Sequence, residues 1–170
     1  MDKFTPNSLD KTWHFSEHSI CSLYQSAINF EYSFNTDIAY VKKCFKDNYK
    51  PILIKERLDY SLISNAENFF ITSFSLNSFD EGYLKPDLLI KFCKYISINQ
   101  KLFYDNYYKF VFSSYDKTIL NWRNSNNLSQ KQAAKLLQVS PVSICSWERL
   151  LTYPSRYQFN LLINNRIISL

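Results

Sequence analysis

The stretch LSQKQAAKLLQVSPVSICSWE, residues 128–148, decides how the chain is read. Ser129 is a good helix cap, and the residues after it favour a helix over Gln130–Leu137 whose inner face is Ala133, Ala134 and Leu137. Small alanines there let a neighbouring helix come close. Gln138-Val139 then breaks the pattern. Ser140 caps a second short helix with Pro141 in its first turn, where a missing N–H costs nothing. Ile144 and Trp147, three apart, face inward, so Pro141, Val142, Cys145, Ser146 and Arg149 face out.

Outward from this pair, Asp116–Ser125 reads as a preceding helix, ended by Asn126-Asn127, because asparagine tolerates the left-handed conformation that stops helices. Pro154-Ser155 opens a following helix expected to bury Phe159, Leu162 and Ile163. Charge marks off the same region. From Tyr115 onward the basic residues are Lys117, Arg123, Lys131, Lys135, Arg149, Arg156 and Arg166, against only Asp116 and Glu148, a net +5. The chain holds twenty basic and fifteen acidic residues, so the 114 residues before Tyr115 carry thirteen of each sign and no net charge. Excess positive charge confined to one segment points to a polyanionic partner.

The pattern L-S-Q-x-x-A-A-x-x-L-x-V-S-x-x-x-I-x-x-W-E, with Pro-Ser six residues after the glutamate, resembles the helix-turn-helix of the Cro/C1-type (XRE-like) phage repressor family over the last third of the chain. The resemblance implies a four-helix domain over residues 113–170, with the second helix of the pair in the major groove of DNA. It implies that Arg123 and Glu148 form a buried ion pair and that Gln130 contacts phosphate. Lys131, Arg149 and Arg156 would add charge, with Pro141, Val142, Ser143, Cys145 and Ser146 on the face towards the bases. Two residues depart from the pattern: Gln138 and Leu150 stand where glycines are usual, at positions that favour positive φ.

That outward face is modest as a reader of sequence. Guanine is read best by arginine and adenine by asparagine or glutamine. Only Arg149 is strongly polar here, while Val142 can meet a thymine methyl and Ser146 can bond to several bases. Much of the energy is therefore expected from phosphate contacts and DNA deformability.

Residues 1–112 read as a mostly helical domain that dimerises or binds a partner. Ser16 caps a helix carrying Ile20, Leu23, Tyr24, Ala27 and Phe30, and a second spans Thr36–Lys46 with Ile38, Val41 and Phe45 on one face. Within 51–79, PILIKER and NFFITSFSL fit either buried helix or a small β element. SFDEGYLKP, around Ser78–Pro86, reads as a loop, Pro86 as the start of a helix through Ile96, and Gln100–Phe112 as one further helix. The aromatic run in 103–115 suits core or dimer packing better than base stacking, because its charge is nearly balanced. The short link after Phe112 marks the domain boundary.

The chain has 170 residues, 46% hydrophobic and 18% aromatic, enough to fill a core, so disorder is excluded for most of it. Its single glycine, Gly82, favours helices joined by Asn, Asp and Ser loops. No apolar run is long enough for a membrane span and no signal peptide is legible, which with the scattered Cys21, Cys44, Cys93 and Cys145 implies a cytoplasmic protein with reduced thiols. His14, His18 and Cys21 share a helix face with Glu17 and are weak zinc candidates. A complete site needs a further ligand, so they are read as a helix start, and no metal or cofactor is expected. No catalytic constellation is legible, and an enzyme is not expected. The expectation is a mainly α, two-domain transcriptional regulator: a repressor acting as a homodimer on a palindromic double-stranded DNA operator. The alternative is an antitoxin that autoregulates through its C-terminal helix-turn-helix and binds a toxin through its N-terminal domain.

Overall fold

The computed structural model describes residues 25–26 and 36–168, and the protein is mainly helical. Residues 1–24 and 27–35, which carry the expected Ser16 helix and the zinc candidates His14, His18 and Cys21, lie outside the described residues.

The helix expected over Thr36–Lys46, α1 (36–44), does not stop near Lys46. It continues through a π-helical turn, Phe45–Tyr49, closed by Lys50 N–H to the Phe45 carbonyl, into α2 (Lys50–Lys55). Pro51 is the physical reason. It has no N–H, and its ring crowds the carbonyl four residues back, so the ladder widens just before it. The widening has a packing consequence. Residues four apart on an α-helix drift by about 40° around the axis, yet Val41, Phe45, Tyr49 and Leu53 are all at most 1% exposed. A wider turn cancels part of the drift and keeps the four in one buried stripe.

PILIKER and NFFITSFSL resolve as helix. The first contributes to α2, and most of the second to α3 (Tyr60–Ser73), which buries Ile63, Ala66 and Phe70. The β element sits instead where a loop was expected: β1 (Phe79–Asp80) pairs antiparallel with β2 (Tyr83–Leu84), Phe79 opposite Leu84 and Asp80 opposite Tyr83. Glu81 (φ +49°) and Gly82 (φ +83°) form the two-residue turn. Positive φ at both centres is the hairpin geometry whose twist matches the strands, and it explains where the only glycine went.

α4 (Pro86–Tyr95) starts on Pro86 as expected and buries Leu89, Phe92 and Cys93. The helix expected over Gln100–Phe112 is broken in two. A 3₁₀ turn (Gln100–Phe103) ends at Tyr104, and Asp105 caps α5 (Asn106–Val111) by accepting the Tyr108 N–H at 2.9 Å. Side-chain capping by aspartate offers the backbone a better partner than a continued helix. The aromatic run does pack inward, with Phe103, Tyr107, Tyr108, Phe110 and Tyr115 all buried. Phe45, Tyr49, Phe70, Phe92 and Phe103 meet at centroid separations of 4.9–6.5 Å. The hairpin is pinned to this centre through Leu84, whose N–H donates to Tyr49 Oη (2.7 Å) and whose carbonyl accepts from Tyr108 Oη (2.6 Å).

The last third forms α6 (Tyr115–Ser125), α7 (Gln130–Leu136), α8 (Pro141–Glu148) and α9 (Arg156–Asn164). Phe159 and Leu162 are buried on α9, while Ile163 is half-buried. The buried residues on both sides of 112 belong to one connected cluster. Polar contacts join the two sides as well: Tyr107 Oη donates to the Pro154 carbonyl (3.0 Å) and Arg156 Nη1 to Asp105 Oδ2 (2.5 Å). No helix among the described residues is long and apolar enough to cross a membrane.

Candidate nucleic-acid interface

Each helix of the α7–α8 pair starts on a serine. Ser129 and Gln132 form a reciprocal capping box at α7. At α8 the Ser140 hydroxyl accepts the Ser143 N–H (3.0 Å), and Pro141 occupies the first turn. Between them the chain reverses with Gln138 at φ +54°, and Leu150 at φ +59° ends α8. Both residues that stand in place of glycine therefore do adopt left-handed backbone.

α8 packs on α6 and α7. Ile144 and Trp147 are buried against the same core as Ala134 and Leu137. The opposite face is open: Pro141, Val142 and Arg149 are exposed, Val142 to 71%, and Ser143, Cys145 and Ser146 are half-buried. Ser143 is partly committed, because its hydroxyl lies 2.9 Å from that of Ser140.

A polar network ties the three helices together. Arg123 Nε donates to Glu148 Oε1 (2.5 Å), Arg123 Nη2 to Glu148 Oε2 (3.1 Å) and Arg123 Nη1 to the Leu128 carbonyl (3.0 Å). Gln130 Nε2 donates to Glu148 Oε2 at 2.7 Å. Burial by itself would raise the Glu148 carboxyl. The hydrogen bonds from Arg123 and Gln130, with the guanidinium charge, outweigh it and hold the carboxyl below its ordinary range. The same hydrogen bond to Glu148 raises Arg123. Gln130 thus has its amide N–H turned to Glu148.

Arg156 is the residue the expectation misplaced. It is 8% exposed and ion-paired with Asp105 (Nη1–Oδ2 2.5 Å). Its guanidinium carbon lies 4.0 Å from the Tyr83 ring centroid, 4.5 Å from that of Tyr107 and 4.7 Å from that of Tyr108. Its own N–H, at the start of α9, donates to Asp80 Oδ2 (2.7 Å). Such a guanidinium cannot meet a phosphate without leaving its cage. Nothing in the local sequence marks this: Asp80, Tyr83, Asp105, Tyr107 and Tyr108 are distant along the chain, and only the fold assembles them.

The exposed cations near α8 are Lys131 on α7 and Arg149 at the end of α8, with Lys117, Lys135 and Arg166 also exposed in the last third. Among the described residues no cluster of histidine, cysteine and carboxylates is arranged to hold a metal. Compared with known proteins the chain stands apart: no family model matches it, and neither a curated protein nor a solved structure does.

Proposed function

We propose that the protein is a sequence-specific regulator of transcription that binds double-stranded DNA through α8, with α7–turn–α8 as a helix-turn-helix of the Cro/C1 type. The observation that carries the reading is the Arg123–Glu148–Gln130 network. It spends the only acid of the pair on an internal contact and braces α8 from behind, so the free face beside it carries small residues and no acid, with the cations Lys131 and Arg149 exposed nearby. A helix end in that state suits a groove walled by phosphates. Val142 and Ser146 supply limited base contact, Lys131 and Arg149 supply charge, and a homodimer on a two-part operator adds the remaining specificity.

One feature favours a competing reading, in which this face binds a protein instead of DNA. Val142, Leu150 and Leu151 expose apolar side chains at 71%, 59% and 69%. Selection of bound fragments from random duplex DNA with the full-length protein separates the two. Enrichment of a motif with half-sites about one helical turn apart supports regulation. Retention without any enriched sequence, or no retention, overturns it in favour of the protein partner.

A further inference from the structure

The neutrality of the first two thirds conceals a segregation of charge. Lys42, Lys43, Lys46 and Lys50 line one depression of about 470 Å³ on the α1–α2 helix, with Asp47 and Glu67 as the only acids among its lining residues. Lys50 is paired with Glu67 at 3.5 Å. Among the described residues Lys42, Lys43 and Lys46 have no ion pair, and all three are exposed. Asp80 and Asp105 are spent internally on Arg156. Around this depression four lysines face two acids, and one of those acids, Glu67, is already held by Lys50.

The π-helical turn brings Lys50 back towards the side of the helix that carries Lys42 and Lys46. The widening that keeps Val41, Phe45, Tyr49 and Leu53 in one buried stripe acts equally on the neighbouring stripe, Lys42, Lys46 and Lys50. On an uninterrupted α-helix these three would spiral by about 40° per step. The π turn offsets part of that spiral over the step from Lys46 to Lys50, and all three line one depression. The α-helical step, four residues or about 6 Å, is close to twice the axial spacing of phosphates on one DNA strand, about 3.4 Å. Several unpaired point charges close together, Lys42, Lys43 and Lys46, suit a repeating polyanion better than a single acidic group.

We propose that this lysine ridge is a second interaction surface, one that grips the phosphate backbone of duplex DNA outside the site read by α8. The inference rests on the DNA-binding reading of α8. It makes the footprint longer than one helix-turn-helix needs, and adds affinity without adding sequence information.

The test uses the full-length protein, a K42Q/K43Q/K46Q variant and a K131Q/R149Q variant. Each is titrated over a range of salt against a short duplex of about two helical turns that just contains the selected site, and against the same site extended by about two turns on each side. The wild-type log–log salt slope should be steeper on the long duplex. In K42Q/K43Q/K46Q it should fall by about two to three units there, and stay unchanged on the short one, with the ratio of selected to scrambled affinity intact. In K131Q/R149Q it should fall on both. Unaltered slopes for K42Q/K43Q/K46Q, beside a loss for K131Q/R149Q, would overturn the ridge and leave the α8 reading standing. An equal loss on short and long duplexes would overturn its placement outside the site. If wild-type protein bound neither duplex, both readings would fall together.

Discussion

Arg123 and Glu148, 25 residues apart, meet through two parallel N–H···O bonds, and neither side chain is more than 16% exposed. Such fork-to-fork pairing fixes direction as well as distance, so α6 and the end of α8 are held in one orientation. Truncating one partner leaves the other charged and unpaired. Glu148→Ala should therefore destabilise the protein by about 3–5 kcal/mol, seen as a lower denaturant midpoint at unchanged slope. A melting curve that did not move would show the pair contributes nothing.

The same pair sets an acid response. Glu148 has its folded carboxyl held below the ordinary value, which is about 4.3 for an unfolded glutamate. The stability it adds is fully present above that unfolded value and lost as pH falls through the lower folded one. Chemical denaturation between about pH 6 and 3 should show wild type losing stability below about pH 4.3, and Glu148→Gln losing less over the same interval. Identical pH profiles would place the acid sensitivity elsewhere.

Arg156 should behave as a structural residue. Arg156→Ala removes a buried cation from three tyrosine rings and should cost about 2 kcal/mol or more. The salt slope for DNA, measured at a temperature where the variant remains folded, should not change. A slope lowered by about one unit would mean that the guanidinium leaves its cage to meet phosphate.

Gln138 and Leu150 hold left-handed backbone without being glycine, and both side chains are exposed. Replacement by glycine removes the clash of Cβ with the backbone at little cost in burial. Gln138→Gly and Leu150→Gly should each stabilise by up to about 1 kcal/mol. A lower melting temperature for both variants would show that their side chains contribute contacts worth more than the strain.

What was legible in the chain was whatever depends on near neighbours. Ser129, Ser140 and Pro141 mark the α7 and α8 starts because capping is decided within three residues, and Gln138 and Leu150 take the backbone their positions require. The continuation of the first helix past Lys46 was hidden because Pro51 normally breaks a helix, and a π-helical turn that absorbs it leaves no mark in periodicity. The hairpin was within reach, since Glu81-Gly82 between Phe79 and Leu84 is a short turn flanked by apolar residues. The Arg156 cage was not. It joins Asp80, Tyr83, Asp105, Tyr107 and Tyr108 from β1, β2, the α5 cap and α5, and such long-range meetings are set by packing alone.

Ser140 and Pro141 set where α8 starts, and the Arg123–Glu148 pair sets how it lies, so Val142 and Ser146 face outward in one register. A neutral hydrogen bond contributes about 1 kcal/mol, so Ser146→Ala should weaken the selected DNA site by about that amount. Val142→Ala should relax the preference for thymine at one position per half-site, where a methyl contact is lost. Neither residue carries charge, so binding to scrambled DNA should barely change. Both variants are to be titrated on selected and scrambled duplexes at one salt concentration, because affinities at different salt cannot be compared. Equal losses on the two DNAs would mean that α8 does not read sequence. The exposed apolar residues Val142, Leu150 and Leu151 would then be better explained by a protein partner.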